Sequence, residues 1–285
     1  MRAIALGLTC NNACIFCAQG ELSAQRPGRP EVRLDDIEPN EVVAFVGGEP
    51  TLDEELPALV RGADARGARR IIVQTNGRRF AYRAYARVMR EASDKLGLDV
   101  SLHGSTAAMH DYHTQTAGSF QQTALGIRNA RAEGIDVGVT TVITRSNYRH
   151  LVEIVHLVRG LGAKVIRFVL AERFGRAVEA ADRIVAPLEL VEPHLTRAVR
   201  EAARFGLGWV VGFGAKGAEG DPKPQMLKLD DRSSNPVVRE GFAGLGEVQQ
   251  LAAVVARAEA AKVEPGPRLR LPVMAQFQTV DQGAV

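Results

Sequence analysis

Residues 42–50 read Val42-Val43-Ala44-Phe45-Val46-Gly47-Gly48-Glu49-Pro50, an apolar, largely β-branched run that stops at two glycines, an acid and a proline. Such a run bounded by turn residues reads as a strand. Five further runs have the same character: Ala3–Leu8, Arg70–Gln74, Leu98–Leu102, Asp136–Ile143 and Lys164–Leu170. Their starts are separated by 39, 28, 28, 38 and 28 residues, room enough for a crossover helix between parallel strands. Helical patterns fill the gaps. Leu151, Ile154, Val155 and Val158 recur at i, i+3, i+4, i+7 behind the cap candidates Ser146 and Asn147, with Gly162 as the stop. Leu52, Leu56, Leu59 and Ala63 follow Pro50-Thr51, and Phe120, Ala124 and Ile127 lead to Gly134.

Six β/α units fall short of a closed eight-stranded barrel, which takes about 250 residues. The expected fold is α/β, a partial (β/α)6 TIM-like barrel over residues 1–212. A helix from Leu188 to Arg204 and the run Leu207–Val211 extend it. Residues 213–285 read as a C-terminal extension: a Gly- and Pro-rich loop to Gly246, a helix from Glu247 to Lys262, and a tail.

The 285 residues are 46% hydrophobic and 24% charged, the balance of a soluble globular chain. No apolar run approaches the roughly 18 residues that span a bilayer. The net charge of +3 lacks the concentrated basic stripe that nucleic acid demands, so neither a membrane nor nucleic acid is expected as a partner. Ala3–Leu8 is too short for the apolar region of an export signal, which leaves the cytoplasm as the default location.

The three cysteines, Cys10, Cys14 and Cys17, fall within eight residues. An odd, clustered set cannot form a disulfide framework and reads as a metal site in a reducing compartment. Structural zinc is one reading, although it normally takes four ligands and His103 is the nearest histidine. An iron–sulfur cube with three cysteines is the other, and it leaves one iron open. A parallel sheet presents its chemistry at the carboxyl ends of its strands. Here those ends read Thr9-Cys10, Gly47-Gly48-Glu49-Pro50, Thr75-Asn76-Gly77, Leu102-His103-Gly104, Thr144-Arg145-Ser146-Asn147 and Ala171-Glu172-Arg173.

The C-x3-C-x2-C triplet after the first strand, with Gly-Gly-Glu at the end of the second, resembles the radical SAM (S-adenosylmethionine) superfamily. Thr75-Asn76-Gly77 and Ser101-Leu102-His103-Gly104 are similar to further segments of it, and the resemblance covers residues 3–172. It implies that Cys10, Cys14 and Cys17 ligate a 4Fe-4S cluster whose open iron chelates S-adenosylmethionine. It also implies that Phe16 packs near the adenine, and that Gly47, Gly48 and Pro50 bring backbone against the methionine end. Glu49 would accept from the ammonium, and Thr75, Asn76, Ser101, Thr144 and Leu170 would supply further cofactor contacts. Reductive cleavage would release a 5′-deoxyadenosyl radical, with a flavodoxin or ferredoxin as electron donor. All three thiols being committed, auxiliary clusters and thiol hydrogen donors are not expected, nor is a cobalamin domain ahead of the barrel.

His103 and Tyr112 are the candidate catalytic groups, for moving a proton and for returning hydrogen. His110, Asp111 and His113 crowd the same region and otherwise read as a solvated loop. Arg167, Arg173 and Arg176 flank the sixth strand, where a guanidinium can clamp an anion. Arg83, Arg87 and Arg90 form a possible docking face, and Trp209 reads as core. The Ser-Leu-His-Gly and His-Asp segments look similar to those of maturases of ribosomal peptides. A peptide or protein is therefore the first substrate expectation and a nucleotide or other small metabolite the second. A non-catalytic iron–sulfur or zinc protein is a third reading.

Overall fold

A computed structural model describes residues 2–20 and 30–212. The proposed extension over 213–285, with its loop and its helix Glu247–Lys262, lies outside the described residues. Seven strands, β1 (Arg2–Ala5), β2 (Val42–Val46), β3 (Arg70–Thr75), β4 (Leu96–Ser101), β5 (Asp136–Ile143), β6 (Val165–Leu170) and β7 (Gly208–Gly212), form one sheet in sequence order. Every pairing is parallel, in registers such as Phe45↔Val73, Val73↔Leu98 and Thr140↔Arg167. The sheet is an unclosed barrel with β1 and β7 at its edges. The Leu207–Val211 run is the seventh strand, so the six units are completed by one more strand on β6.

Period-2 alternation sorts the strand residues. Val43, Phe45, Ile71, Val73, Leu98, Val100, Val139, Ile166 and Phe168 belong to the main buried core, which they share with apolar residues of the outer helices. Those helices are α1 (Leu56–Ala65), α2 (Arg83–Ala92), α3 (Ala107–Thr114), α4 (Ser119–Ala132), α5 (Leu151–Gly160), α6 (Ala181–Ile184) and α7 (Leu188–Arg204). Leu56, Met89, Ile127, Ile154, Val158 and Leu195 are their core residues. Trp209 is buried in that core, as expected. No helix among the described residues is long and apolar enough to cross a membrane.

Several strand bounds shift by one or two residues, and four larger differences from the sequence reading each have a local reason. β1 ends at Ala5 because Gly7 takes a positive φ of 143°, and Leu6–Leu8 peel off toward the cysteines after one more ladder bond, Leu6 N to the Val46 carbonyl. Pro50–Leu52 forms a separate 3-10 turn, and α1 starts at Leu56 with Pro57 in its first turn. Residues 107–114 are a helix rather than a loop. The Thr106 hydroxyl accepts from Met109 N and caps it, while His110 and His113 are buried. Asn147 does not cap through its side chain. Its Oδ1 accepts from Thr144 N, and its Nδ2 donates to the carbonyls of His103 and Val142, bracing the ends of β4 and β5 together.

Candidate active site

The cysteine loop leaves β1 and is tied down by most of the other strand ends. The Thr9 carbonyl accepts from Glu49 N at 2.8 Å, and Gly48 N donates to Gln19 Oε1 at 2.8 Å. Gly48 holds a φ of +53°, and a Cβ there would collide with the Thr9 carbonyl oxygen. At Gly47, with φ +89°, it would lie 2.6 Å from the Gly7 carbonyl oxygen. The Gly-Gly pair thus lets the β2 end touch the root of the cysteine loop. From the β3 side, Asn76 Nδ2 donates to Asn11 Oδ1, and Arg78 reaches the Asn11 carbonyl and Asn12 Oδ1. The carbonyls of Thr114 and His113, at the end of α3, accept from Ala13 N and Ile15 N. Beyond β6, Arg176 N donates to the Cys17 carbonyl, and a side chain on Gly175 would strike that same oxygen.

The three thiols are free, Cys10 exposed and the others half-buried, and each lies within electrostatic reach of its fellows. Burial raises the Cys10 thiol and pushes Cys14 up to about 12, so an incoming metal has to displace protons. Among the described residues no three His, Cys, Asp or Glu side chains converge closely enough to hold one metal ion. Three sulfurs on one compact loop are the donor set of a multi-iron cluster, whereas a lone structural zinc normally takes four ligands.

Glu49 is buried, with 3% exposure. Its Oε1 accepts from Thr51 N, Thr51 Oγ1 and Thr75 Oγ1 at 3.1, 2.6 and 2.6 Å, and its Oε2 accepts from Asn76 N at 2.6 Å. A carboxylate offers about two acceptor positions on each oxygen; Oε1 takes three donors and Oε2 one, so one position on Oε2 is left. Glu49 therefore joins the ends of β2 and β3. Burial raises its carboxyl above the ordinary range despite these bonds. Thr75 also accepts from Gly77 N, so its hydroxyl buttresses Glu49. Pro50 is buried at the start of the 3-10 turn.

Three buried imidazoles cluster beside Phe16. His103 Nδ1 accepts from Val142 N, and His110 Nδ1 accepts from His103 N, so both neutral rings carry their proton on Nε2. Burial lowers all three, His103 well below the usual value and His110 to about 4. His113 has the opposite polarity: its Nδ1 faces the Met109 carbonyl at 2.7 Å and must donate, so Nε2 accepts from Thr144 Oγ1 and Ser146 Oγ. Phe16, beside the last cysteine, meets His103 edge-on at 4.8 Å and lies 5.9 Å from His113. Leu170 is half-buried at the end of β6, and Ser101 ends β4, opposite Thr140.

The remaining candidates lie further out. Tyr112 is 44% exposed on α3, its ring 5.4 Å from His113. Asp111 binds Gly118 N, Ser119 Oγ and Phe120 N, and so caps α4. Arg173 pairs with Asp182 on the surface, Arg83 and Arg87 pair with Glu133, and Arg176 reaches the Cys14 carbonyl. Gln19, Arg78 and Gly175 escaped the sequence reading. Arg78 directly follows Thr75-Asn76-Gly77, but among nine arginines in residues 61–90 nothing singled it out.

A model of the Radical SAM superfamily matches residues 4–158, more than half of the chain. The chain belongs to the Radical SAM superfamily. The cofactors of that superfamily are a 4Fe-4S cluster and S-adenosylmethionine. Among relatives, the AdoMet-dependent heme synthase of Oleidesulfovibrio alaskensis is 28% identical over 191 residues, 65% of this chain and 48% of its own length. A mycofactocin maturase of Mycobacterium ulcerans is 29% identical over 251 residues, 85% of this chain and 63% of its own. The chain spans about half the length of the heme synthases it matches. In fold it is similar to Streptococcus suis SuiB bound to the precursor peptide SuiA, with a TM-score of 0.55 and 13% identity over 75% of this chain and 49% of that one.

Proposed function

We propose that this radical SAM protein takes a hydrogen atom from a peptide or protein side chain. The observation that carries the radical SAM chemistry is the close knit of the Gly47–Gly48 backbone with the root of the cysteine loop, where no side chain fits. Cys10, Cys14 and Cys17 would hold the cluster. The Gly47–Gly48 backbone would receive the methionine end of S-adenosylmethionine and Glu49 would accept from its ammonium, with Phe16, Pro50, Thr75, Asn76, Ser101, Thr144 and Leu170 around the remainder. When bound, the two groups supply one-electron cleavage of S-adenosylmethionine and abstraction of hydrogen. The chain's own residues hold the cysteine loop from several strand ends. His103, neutral and donating through Nε2, is the proposed group for moving a proton, and Tyr112 is the proposed hydrogen source. A flavodoxin or ferredoxin would deliver the electron, and a reducing cytoplasm suits three free thiols.

The peptide assignment is supported by the maturase match, which covers 85% of the chain. The heme synthase match favours a second reading, the same chemistry on a small metabolite. Anaerobic reconstitution with iron and sulfide, then dithionite and S-adenosylmethionine, tests the common core. Brown protein with about four irons that forms 5′-deoxyadenosine is expected. Colourless protein that binds zinc and forms none would overturn it. A short precursor-peptide gene found beside this one, whose side-chain-deuterated product passes deuterium into 5′-deoxyadenosine, would favour the peptide reading over the small-metabolite one.

A further inference from the structure

The inner face of a parallel barrel is normally filled by branched apolar residues. On β2 and β3 that holds, with Val42, Ala44, Val46 and Ile72 packed as a buried cluster. On β4–β6 it does not. Arg167 on β6 donates from Nη2 to Asp99 Oδ2 on β4 at 2.7 Å and from Nε to Thr140 Oγ1 on β5 at 3.0 Å. The Thr140 hydroxyl donates in turn to Asp99 Oδ1, and Gln74 Nε2 reaches Asp99 Oδ2 at 3.5 Å. The register explains the span: Gly138 stands opposite Asp99 and Thr140 opposite Arg167, so the guanidinium crosses β5 beside a position with no side chain. Asp99 lies two residues, about 7 Å, below Ser101 and the strand ends.

Such a pair is a poor source of stability, since desolvating both charges offsets their attraction. Its donors and acceptors do not balance either. Both Asp99 oxygens and the Thr140 hydroxyl are engaged, whereas Arg167 has five N–H groups and its Nη1 makes no hydrogen bond among the described residues. Both side chains keep 15% exposure, so the layer is reached from the lumen. The surplus is a guanidinium edge with fixed orientation, which matches the two oxygens of a carboxylate. Because Asp99 already offsets one positive charge, a singly charged group suits it better than a phosphate dianion.

We propose that Arg167, aligned by Asp99 and Thr140, anchors a carboxylate of the substrate inside the barrel. The inference rests on the radical SAM reading only in calling the bound molecule a substrate. Calorimetric titration of reconstituted protein, without reductant or S-adenosylmethionine, tests it. The probes are glutarate for a free acid, N-acetylglutamate α-amide for a peptide-borne one, and glutaramide as the neutral control. At least one acid should bind saturably and glutaramide should not. Arg167→Lys, which keeps the charge but loses the fork, should weaken binding about tenfold or more. Asp99→Asn should weaken it with a smaller factor, and Arg167→Met should abolish it. If Arg167→Met does not fold, the other two variants decide. No saturable acid, equal binding of glutaramide, or an Arg167→Lys affinity within twofold of the parent would overturn the proposal. The same preparations are assayed for 5′-deoxyadenosine. Its formation without acid binding sinks only this inference, and acid binding without its formation sinks only the radical SAM reading.

Discussion

Replacing Glu49 by glutamine tests whether this carboxylate is the joint between β2 and β3. Oε1 and Oε2 accept four bonds, two of them from backbone N–H groups, Thr51 N and Asn76 N. A glutamine amide has one acceptor end. With the oxygen toward Thr51 and Thr75, its NH2 faces Asn76 N; with the amide turned over, it faces Thr51 N. Either way one buried N–H is stranded, at a cost of about 1–3 kcal/mol. The surviving bonds also lose their charge assistance, partly offset because a buried charge no longer has to be desolvated. A net loss of about 2 kcal/mol is expected. Urea unfolding of the reconstituted proteins reads it as a lower midpoint with an unchanged slope. The Gly47–Gly48 backbone leans on the same joint, so binding of S-adenosylmethionine should weaken while iron content stays normal. A midpoint shift worth less than about 0.5 kcal/mol would refute the argument, because that is the scale of an ordinary surface substitution.

Gly48→Ala drives a Cβ into the Thr9 carbonyl at φ +53°, so reconstituted protein should retain fewer irons per chain; normal iron content would contradict the close approach. His110 is held near 4 by burial, and an unfolded imidazole titrates near 6.5. Its depressed folded value means stability is full above 6.5 and is lost as pH falls toward 4, by about 2 kcal/mol between pH 6.5 and 5. His110→Asn should remove that part of the slope in urea midpoints measured across this range, and parallel curves for the two proteins would count against it. Asp111→Ala removes the cap of α4 and should cost about 1–2 kcal/mol at neutral pH. Burial raises this carboxyl, but Phe120 N, Ser119 and Gly118 outweigh burial and hold it low. The stabilisation is therefore present above the ordinary carboxylate range and lost as pH falls through the folded value, and a gap between parent and variant that stayed constant into acid would argue against the cap.

The strands were legible because their physical cause is local. Val42–Val46 and Asp136–Ile143 have the observed bounds, since a β-branched run ending in Gly or Thr needs no distant partner to be recognised. Helix α3 was not legible, because its burial is polar. His110 and His113 occupy the inner positions where a periodicity reading looks for Leu or Ile; His110 accepts from His103 N, and His113 bonds the Met109 carbonyl, Thr144 and Ser146. A polar residue is predicted to face water until its partners are known, and those partners come from another strand end.

The same distinction separates the two halves of the candidate site. Cys10, Cys14, Cys17 and the Gly-Gly-Glu run are marked by residue type and spacing alone. What holds them is set by neighbours 25 to 160 residues away in the chain: Thr75 for Glu49, His113 for Ile15, Gly175 and Arg176 for Cys17. These supports arise because parallel strands in sequence order bring their carboxyl ends side by side, whatever residues the intervening helices carry. Asp99, Thr140 and Arg167 follow the same rule one layer down. Each is an unremarkable polar residue in a strand, and only the register turns the three into one lattice with a surplus of donors.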